Sequence, residues 1–412
     1  MTNPYWDFKK PNPKYGYVNN PFQADEAEHT NKHHPCGYWP VGAPLSTSTK
    51  PIGGTLFGSG YNSVYQLGIG DDNERLIFTQ ITNSTYYKKV STGLYCTFAI
   101  TNNGEMWGIG ANLNGALGLG DINPRTAWEQ IPGVWKEVST SYGDNWSVAI
   151  KEDGTLWVTG RNQYGQLGLN DEIDRNTWEQ VGTASNWVSV ETGRTHLMAL
   201  NSDGELYSCG YNYPGALGLG DGTKRKELEG ATTGVAKVVC GFIYTGIIKT
   251  DGSVWMTGSN SSGQFGNGTT TDTNSFVEIT SAGKDNAFIE CGGGDSAGDG
   301  TTFLIKNSGI MWATGYNGEN EMGVADTSNK LDYIQLDGTN WESVANKARS
   351  TLAIKTNGEM YGAGWNAYGE LGFGDKVQRT AFERVGSKLW MAVDAGDKNM
   401  MAINWAGTYD WG

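Results

Sequence analysis

The sequence predicts an all-β fold: a seven-bladed β-propeller over residues 54–412, preceded by an extended N-terminal arm over residues 1–53. Three observations carry this expectation. Glycine-headed segments recur about every 50 residues, each opening on a two-residue turn signal. Glycine is abundant (60 of 412 residues), yet 16 Trp, 20 Tyr and 12 Phe make the chain too aromatic for a disordered one. The first 50 residues break the pattern and hold seven of the 11 prolines. Glycine does not recur every third residue, which excludes collagen, and no run of 18 apolar residues exists to form a membrane-spanning helix.

The repeats are GTLFGSGYNSVYQLGIGD (54–71), GEMWGIGANLNGALGLGD (104–121), GTLWVTGRNQYGQLGLND (154–171) and GELYSCGYNYPGALGLGD (204–221), then GSVWMTGSNSSGQFGNGT (252–269), GIMWATGYNGENEMGVAD (309–326) and GEMYGAGWNAYGELGFGD (358–375). A partial copy, GTYDWG, closes the chain at 407–412. Asn103, Asp153, Asp203, Asp251, Ser308 or Asn357 precedes a leading glycine. Asn-Gly and Asp-Gly between apolar runs signal a hairpin, expected here as type I′. Before the turn, segments such as VSTGLYCTFAI (90–100) read as a strand; after it comes a short strand with an aromatic in a fixed place.

Next stands Gly-x-Asn, with Asn62, Asn112, Asn162, Asn212, Asn260, Asn317 and Asn366 expected to brace a turn. Three residues on, Gly115, Gly165, Gly215, Gly263, Gly369 and Asn320 imply left-handed backbone; Tyr65 breaks that pattern. The closing aspartates (Asp71, Asp121, Asp171, Asp221, Asp326, Asp375) look catalytic singly, but their repetition implies a structural cap. Seven such units of short strands and tight turns suit a propeller, whose ring removes most exposed sheet edges. No VSxGxxxTxAI-type strand precedes Gly54, so the C-terminal segment is expected to complete the blade begun by 54–71.

The pattern DGxLWxxGxNxxGQLGLGD resembles the regulator of chromosome condensation repeat, over about residues 54–412. The resemblance implies a seven-bladed propeller that acts by protein contact. The founding activity of that family is guanine-nucleotide exchange on a small GTPase. Members that dock on nucleosomes use basic termini, whereas this arm has five Lys and no Arg against four acidic residues. The GWRHT repeats of the similar plant ultraviolet receptors are absent, with STGLYCT (91–97) and ETGRTHL (191–197) in their place.

No GxSxG, HExxH or phosphate-loop motif appears, so no enzyme and no cofactor are expected. His196, the only histidine after residue 50, takes a slot that holds Cys96, Ser147 and Tyr244 elsewhere, which suits packing. The net charge of −14 weighs against nucleic-acid binding. The five cysteines form no CxxC pair and read as mostly buried thiols. His29, His33, His34 and Cys36 match no closed zinc spacing, and Asp295 and Asp299 sit in an insertion read as a loop rather than a calcium site, so no metal is expected. The start MTNPYWDFKK has no secretory pattern.

Candidate contact residues fall in two groups. One is the variable residue between Gly and Asn: Tyr61, Arg161, Tyr211, Tyr316 and Trp365, on an otherwise constant turn. Packing between blades is the competing role for these. The other is the arm: Tyr5, Trp6, Phe8, Tyr15, Tyr17, Phe22 and Trp39. Composition, the arm and the existence of phage proteins resembling this family favour a non-catalytic virion subunit of a tailed phage. It would be anchored through residues 1–53 to capsid or tail proteins, with a host receptor as a further partner and no membrane insertion. The alternatives are an exchange-factor-like regulator of a small GTPase, which would be cytoplasmic, and a propeller-type protein inhibitor.

Overall fold

The computed structural model describes residues 53–81, 85–293 and 298–405. They form 28 strands in seven four-stranded antiparallel sheets. In blade 2, Trp135–Thr140 is innermost, Trp146–Lys151 and Leu156–Gly160 follow, and Arg175–Gln180 is outermost. Blade 1 starts at Tyr87, and blades 3 to 6 start at Trp187, Val235, Asn286 and Trp341. Each innermost strand touches the next, and Trp390–Ala395 returns to Tyr87–Thr92, which closes the ring.

Both ends of the propeller build blade 7, as expected. Trp390–Ala395 and Asn399–Asn404 supply its inner half, and Leu56–Gly60 and Arg75–Gln80 its outer half. Leu56 pairs with Ile403 and Gly60 with Asn399. Glycine is required just before this junction, since a Cβ on Gly54 would lie 1.6 Å from the carbonyl oxygen of Asn404. GTYDWG lies outside the described residues, as does the whole arm.

Two local expectations are corrected. The segment 90–100 is not one strand: Tyr87–Thr92 and Cys96–Thr101 are separate strands, with 93–95 as the loop between them. The hairpin turn is not type I′ either. Gly104 has φ +83°, but Asn103 is not left-handed. The Gly104 N–H donates to Thr101 O at 3.0 Å and the Thr101 N–H to Glu105 O at 2.9 Å. This is a turn closed by one left-handed glycine, which needs only a single unusual φ.

The core lies between neighbouring blades and is largely tryptophan and aliphatic. Trp135 is almost fully buried, its ring 6.4 Å from Trp157 and 5.2 Å from Trp178. The Lys151 ammonium sits 3.5 Å from the Trp157 ring centre, so the cation covers the outer end of this cluster. His196 is buried as expected; Nε2 lies 3.2 Å from Thr245 Oγ1, and burial pulls its pKa down to about 4. Cys96, Cys209 and Cys291 are buried and Cys240 half-buried, all as free thiols.

The seams between blades depend on one glycine. The residue three after each repeat Asn is left-handed in all seven copies, including Asn320 at φ +60° and Tyr65 at φ +66°. Where it is glycine, the next blade's outer strand presses close: a Cβ on Gly115 would lie 2.4 Å from Asn176 Cα, and one on Gly215 2.3 Å from Asn274 Cα. That approach lets the loop hydrogen-bond across the seam, as in Gly120 N–H to Asn176 O at 2.7 Å and Gly374 N–H to Leu76 O at 2.7 Å. Five seams carry this bond. Among the described residues, the two without it are those where Tyr65 and Asn320 replace the glycine. At the second, the Gln378 side chain reaches Glu319 O at 2.8 Å instead.

Candidate docking face

In each blade the loop from first to second strand and the loop from third to outer strand emerge on one face of the ring. The longer loop is braced from within. Each repeat Asn is buried; in Asn112, Oδ1 accepts from Leu117 N–H at 2.8 Å and Nδ2 donates to Asp121 O at 2.8 Å. The same pair of bonds occurs at Asn62, Asn162, Asn212, Asn260, Asn317 and Asn366. The closing aspartates are structural, as expected. Asp171 accepts from Ile173 N–H at 2.9 Å and pairs with Arg175 at 2.7 Å, which holds its carboxyl below the usual range. Asp71, Asp121, Asp221 and Asp375 repeat the arginine pair, and Lys330 replaces the arginine at Asp326. The one copy with Thr269 for the aspartate also has Thr273 for the arginine.

The residue between Gly and Asn is tied to its own blade's shorter loop. Its N–H donates to the last carbonyl of that loop in every blade: Tyr61 to Lys398, Arg161 to Asn145, Tyr211 to Thr195, Tyr316 to Gly300, Trp365 to Arg349. Side chains there diverge. Tyr211 and Trp365 are each 36% exposed. Tyr211 also packs on Tyr164 of the preceding blade at 5.0 Å, and Tyr61 on Tyr368 at 5.4 Å, so these two join contact surface to interblade packing. Arg161 pairs with Asp144 at 2.6 Å and Gln163 at 2.5 Å. Tyr316 folds over its own loop, its phenol raised by burial. The five residues therefore lie on one face at separate blades rather than in one pocket. The arm residues Tyr5, Trp6, Phe8, Tyr15, Tyr17, Phe22 and Trp39 lie outside the described residues.

A second ring was not read from the sequence. Leu94, Tyr142, Arg194, Phe242, Gly293, Ala348 and Asp397 occupy one slot in the shorter loop of successive blades. Tyr142, Phe242 and Ala348 meet as a buried cluster, and Tyr142 Oη lies 3.1 Å from Asp397 Oδ1 across the ring. These residues cap the axis on this face. Beneath them an axial cavity of about 70 Å³ is lined by Ser91, Ser139, Glu191, Glu290, Lys347 and Asp394, among others. Its wall is laced across seams: Thr92 N–H donates to Asp394 Oδ2 at 2.6 Å and Thr140 N–H to Ser91 Oγ at 3.2 Å. Burial pushes the Glu290 carboxyl well up. The signal in the sequence was the residue that varies after each short strand; reading 90–100 as continuous strand hid it. Asp299 pairs with Arg349 at 3.3 Å, and Asp295 lies outside the described residues. Among the described residues no group of three or more His, Cys, Asp or Glu side chains could hold a metal ion.

Fold and loop together define a seven-bladed propeller with a braced loop face. A family model described as the regulator of chromosome condensation repeat matches residues 153–200, and a second of the same description matches 138–166 and 187–215. These matches identify regulator of chromosome condensation repeats within residues 138–215, and the seven-bladed ring supports the same repeat throughout the propeller. No curated protein matches the chain in sequence. Among solved structures it is similar to Prp20p of Saccharomyces cerevisiae, at 18% identity over 88% of this chain and 93% of that one, with a TM-score of 0.75. Yeast Prp20 bound to Kap60 is similar at 16% identity, 99% and 97% coverage and TM-score 0.77. Human WBSCR16 is similar at 17% identity, 85% and 100% coverage and TM-score 0.74.

Proposed function

We propose that this chain is a non-catalytic protein-docking propeller that works through its braced loop face, and that a small GTPase is the partner class to test first. The observation that carries the docking reading is the distribution of exposed apolar side chains. Leu113, Ile122, Ile173, Tyr211, Tyr213, Trp365 and Val377 are all exposed on the longer loops of this one face, against Tyr86 and Val134 on the opposite face and Ile77 and Leu331 on outer strands. Large residues on rigid loops are how scaffolds present contact surface. The solved relatives support the exchange-regulator reading over the virion reading. Prp20p, similar to this chain in fold, has binding properties to Gsp1p and histones. The virion reading rests on composition and residues 1–53, and draws no support from these comparisons.

The test is release of fluorescent GDP from a panel of purified small GTPases, with and without the full chain. Faster release from at least one GTPase is the expected result. If no GTPase responds and none binds, the exchange reading is overturned.

A further inference from the structure

We propose that Arg194 is the anchor of the docking face, and that it takes a carboxylate from an aspartate- or glutamate-bearing segment of a protein partner. This deepens the docking reading above and rests on it.

Arg194 occupies the axial slot shared by Leu94, Tyr142, Phe242, Gly293, Ala348 and Asp397. Of these seven, it alone is exposed. Tyr142, Phe242 and Ala348 of the slot are buried together, whereas Arg194 stays on the surface with its guanidinium carbon 4.9 Å from the Phe242 ring centre. Stacking of this kind holds the planar group flat and leaves its N–H edge available. Its backbone is fixed on both sides. The Arg194 N–H donates to Phe242 O at 3.1 Å, and its carbonyl accepts from Ser141 Oγ and Trp146 Nε1, both at 2.9 Å.

The contrast with the other arginines of the shorter and longer loops is informative. Arg161 is satisfied by Asp144 and Gln163, and Arg349 by Asp299 and Glu319. Among the described residues, the Arg194 guanidinium makes no hydrogen bond or ion pair. Asp144 acts on it at longer range and is itself held by Arg161. Thr195, the next residue, accepts the backbone N–H of Tyr211, which ties this loop to the one that carries the exposed Tyr211. A fixed guanidinium on the Phe242 ring, with no ion pair of its own among the described residues, suits a carboxylate with an apolar neighbour. A preorganised arginine loses little freedom on forming a two-pronged bond to that group.

The experiment selects a displayed library of random peptides on the full chain and measures recovered peptides by fluorescence anisotropy. Expected are peptides that carry Asp or Glu, bound about tenfold or more weakly by Arg194→Ala, less weakly by Arg194→Lys, and equally by Val134→Ala on the opposite face. Melting curves of both Arg194 variants check that the fold is kept. Peptides without acidic residues, or acidic peptides indifferent to both Arg194 variants, overturn the anchor while leaving the docking face standing. A selection that recovers no peptide overturns the docking reading and the anchor together.

Discussion

The two halves of each long loop obey different rules. The half that holds the repeat Asn, the left-handed residue and the closing aspartate makes nearly the same bonds seven times. The half between Gly and Asn carries Tyr61, Ala111, Arg161, Tyr211, Ser259, Tyr316 and Trp365 on one backbone path. Constancy marks positions with no room: Asn112 lies inside its loop, and a side chain at Gly115 would enter the next blade. Variation marks positions whose surroundings differ from blade to blade, from buried Ala111 and Ser259 to exposed Tyr211 and Trp365.

The most severe perturbation of the constant half is Gly115→Ala. The new Cβ would meet Asn176 Cα at 2.4 Å in a left-handed residue, so we expect a loss of about 3 kcal/mol by chemical denaturation. An effect below about 1 kcal/mol would show that the seam yields.

A second probe uses charge. Glu321 and Glu370 stand where Gln66, Gln166 and Gln264 stand in other blades, all buried. Burial raises Glu321 to about 8 and Glu370 to about 7, with Glu319 and Arg349 near the first and Asp397 near the second. A carboxyl raised in the fold stabilises it fully below its unfolded value near 4.5. That contribution is lost as pH rises through the folded value. Glu321→Gln is therefore expected to gain more over the parent at pH 9 than at pH 6, by about 3 kcal/mol, read from melts at both. A gain independent of pH would contradict the assignment.

The gentlest probe restores the rule at an exception. Tyr65→Gly removes a left-handed tyrosine and permits the missing seam bond to blade 1, with an expected gain of about 1 kcal/mol. A loss would mean that the tyrosine ring contributes more than the strain removes.

Much of this was legible in the sequence because repetition averages out local ambiguity. Seven copies set the blade number, the bracing asparagines and the structural role of the aspartates, and the strand lacking before Gly54 foretold the ring closure. The turn type failed because Asn-Gly fits two hairpin geometries, and only the backbone of Asn103 separates them. The axial ring at Tyr142, Phe242 and Asp397 was missed for another reason. Those residues are dissimilar, and reading 90–100 as one strand hid the loop slot they share; their meeting depends on seven loops converging at one axis.

We propose that the exposed aromatics of the loop face, Tyr211 and Trp365, serve contact rather than folding. The sharpest check of that division is the melting temperature of the double variant Tyr211→Ala, Trp365→Ala beside the parent chain. The expected shift is within about 3 °C, since only the Tyr164–Tyr211 contact is lost from within the ring. A fall as large as that of Gly115→Ala would contradict it and assign these aromatics to interblade packing.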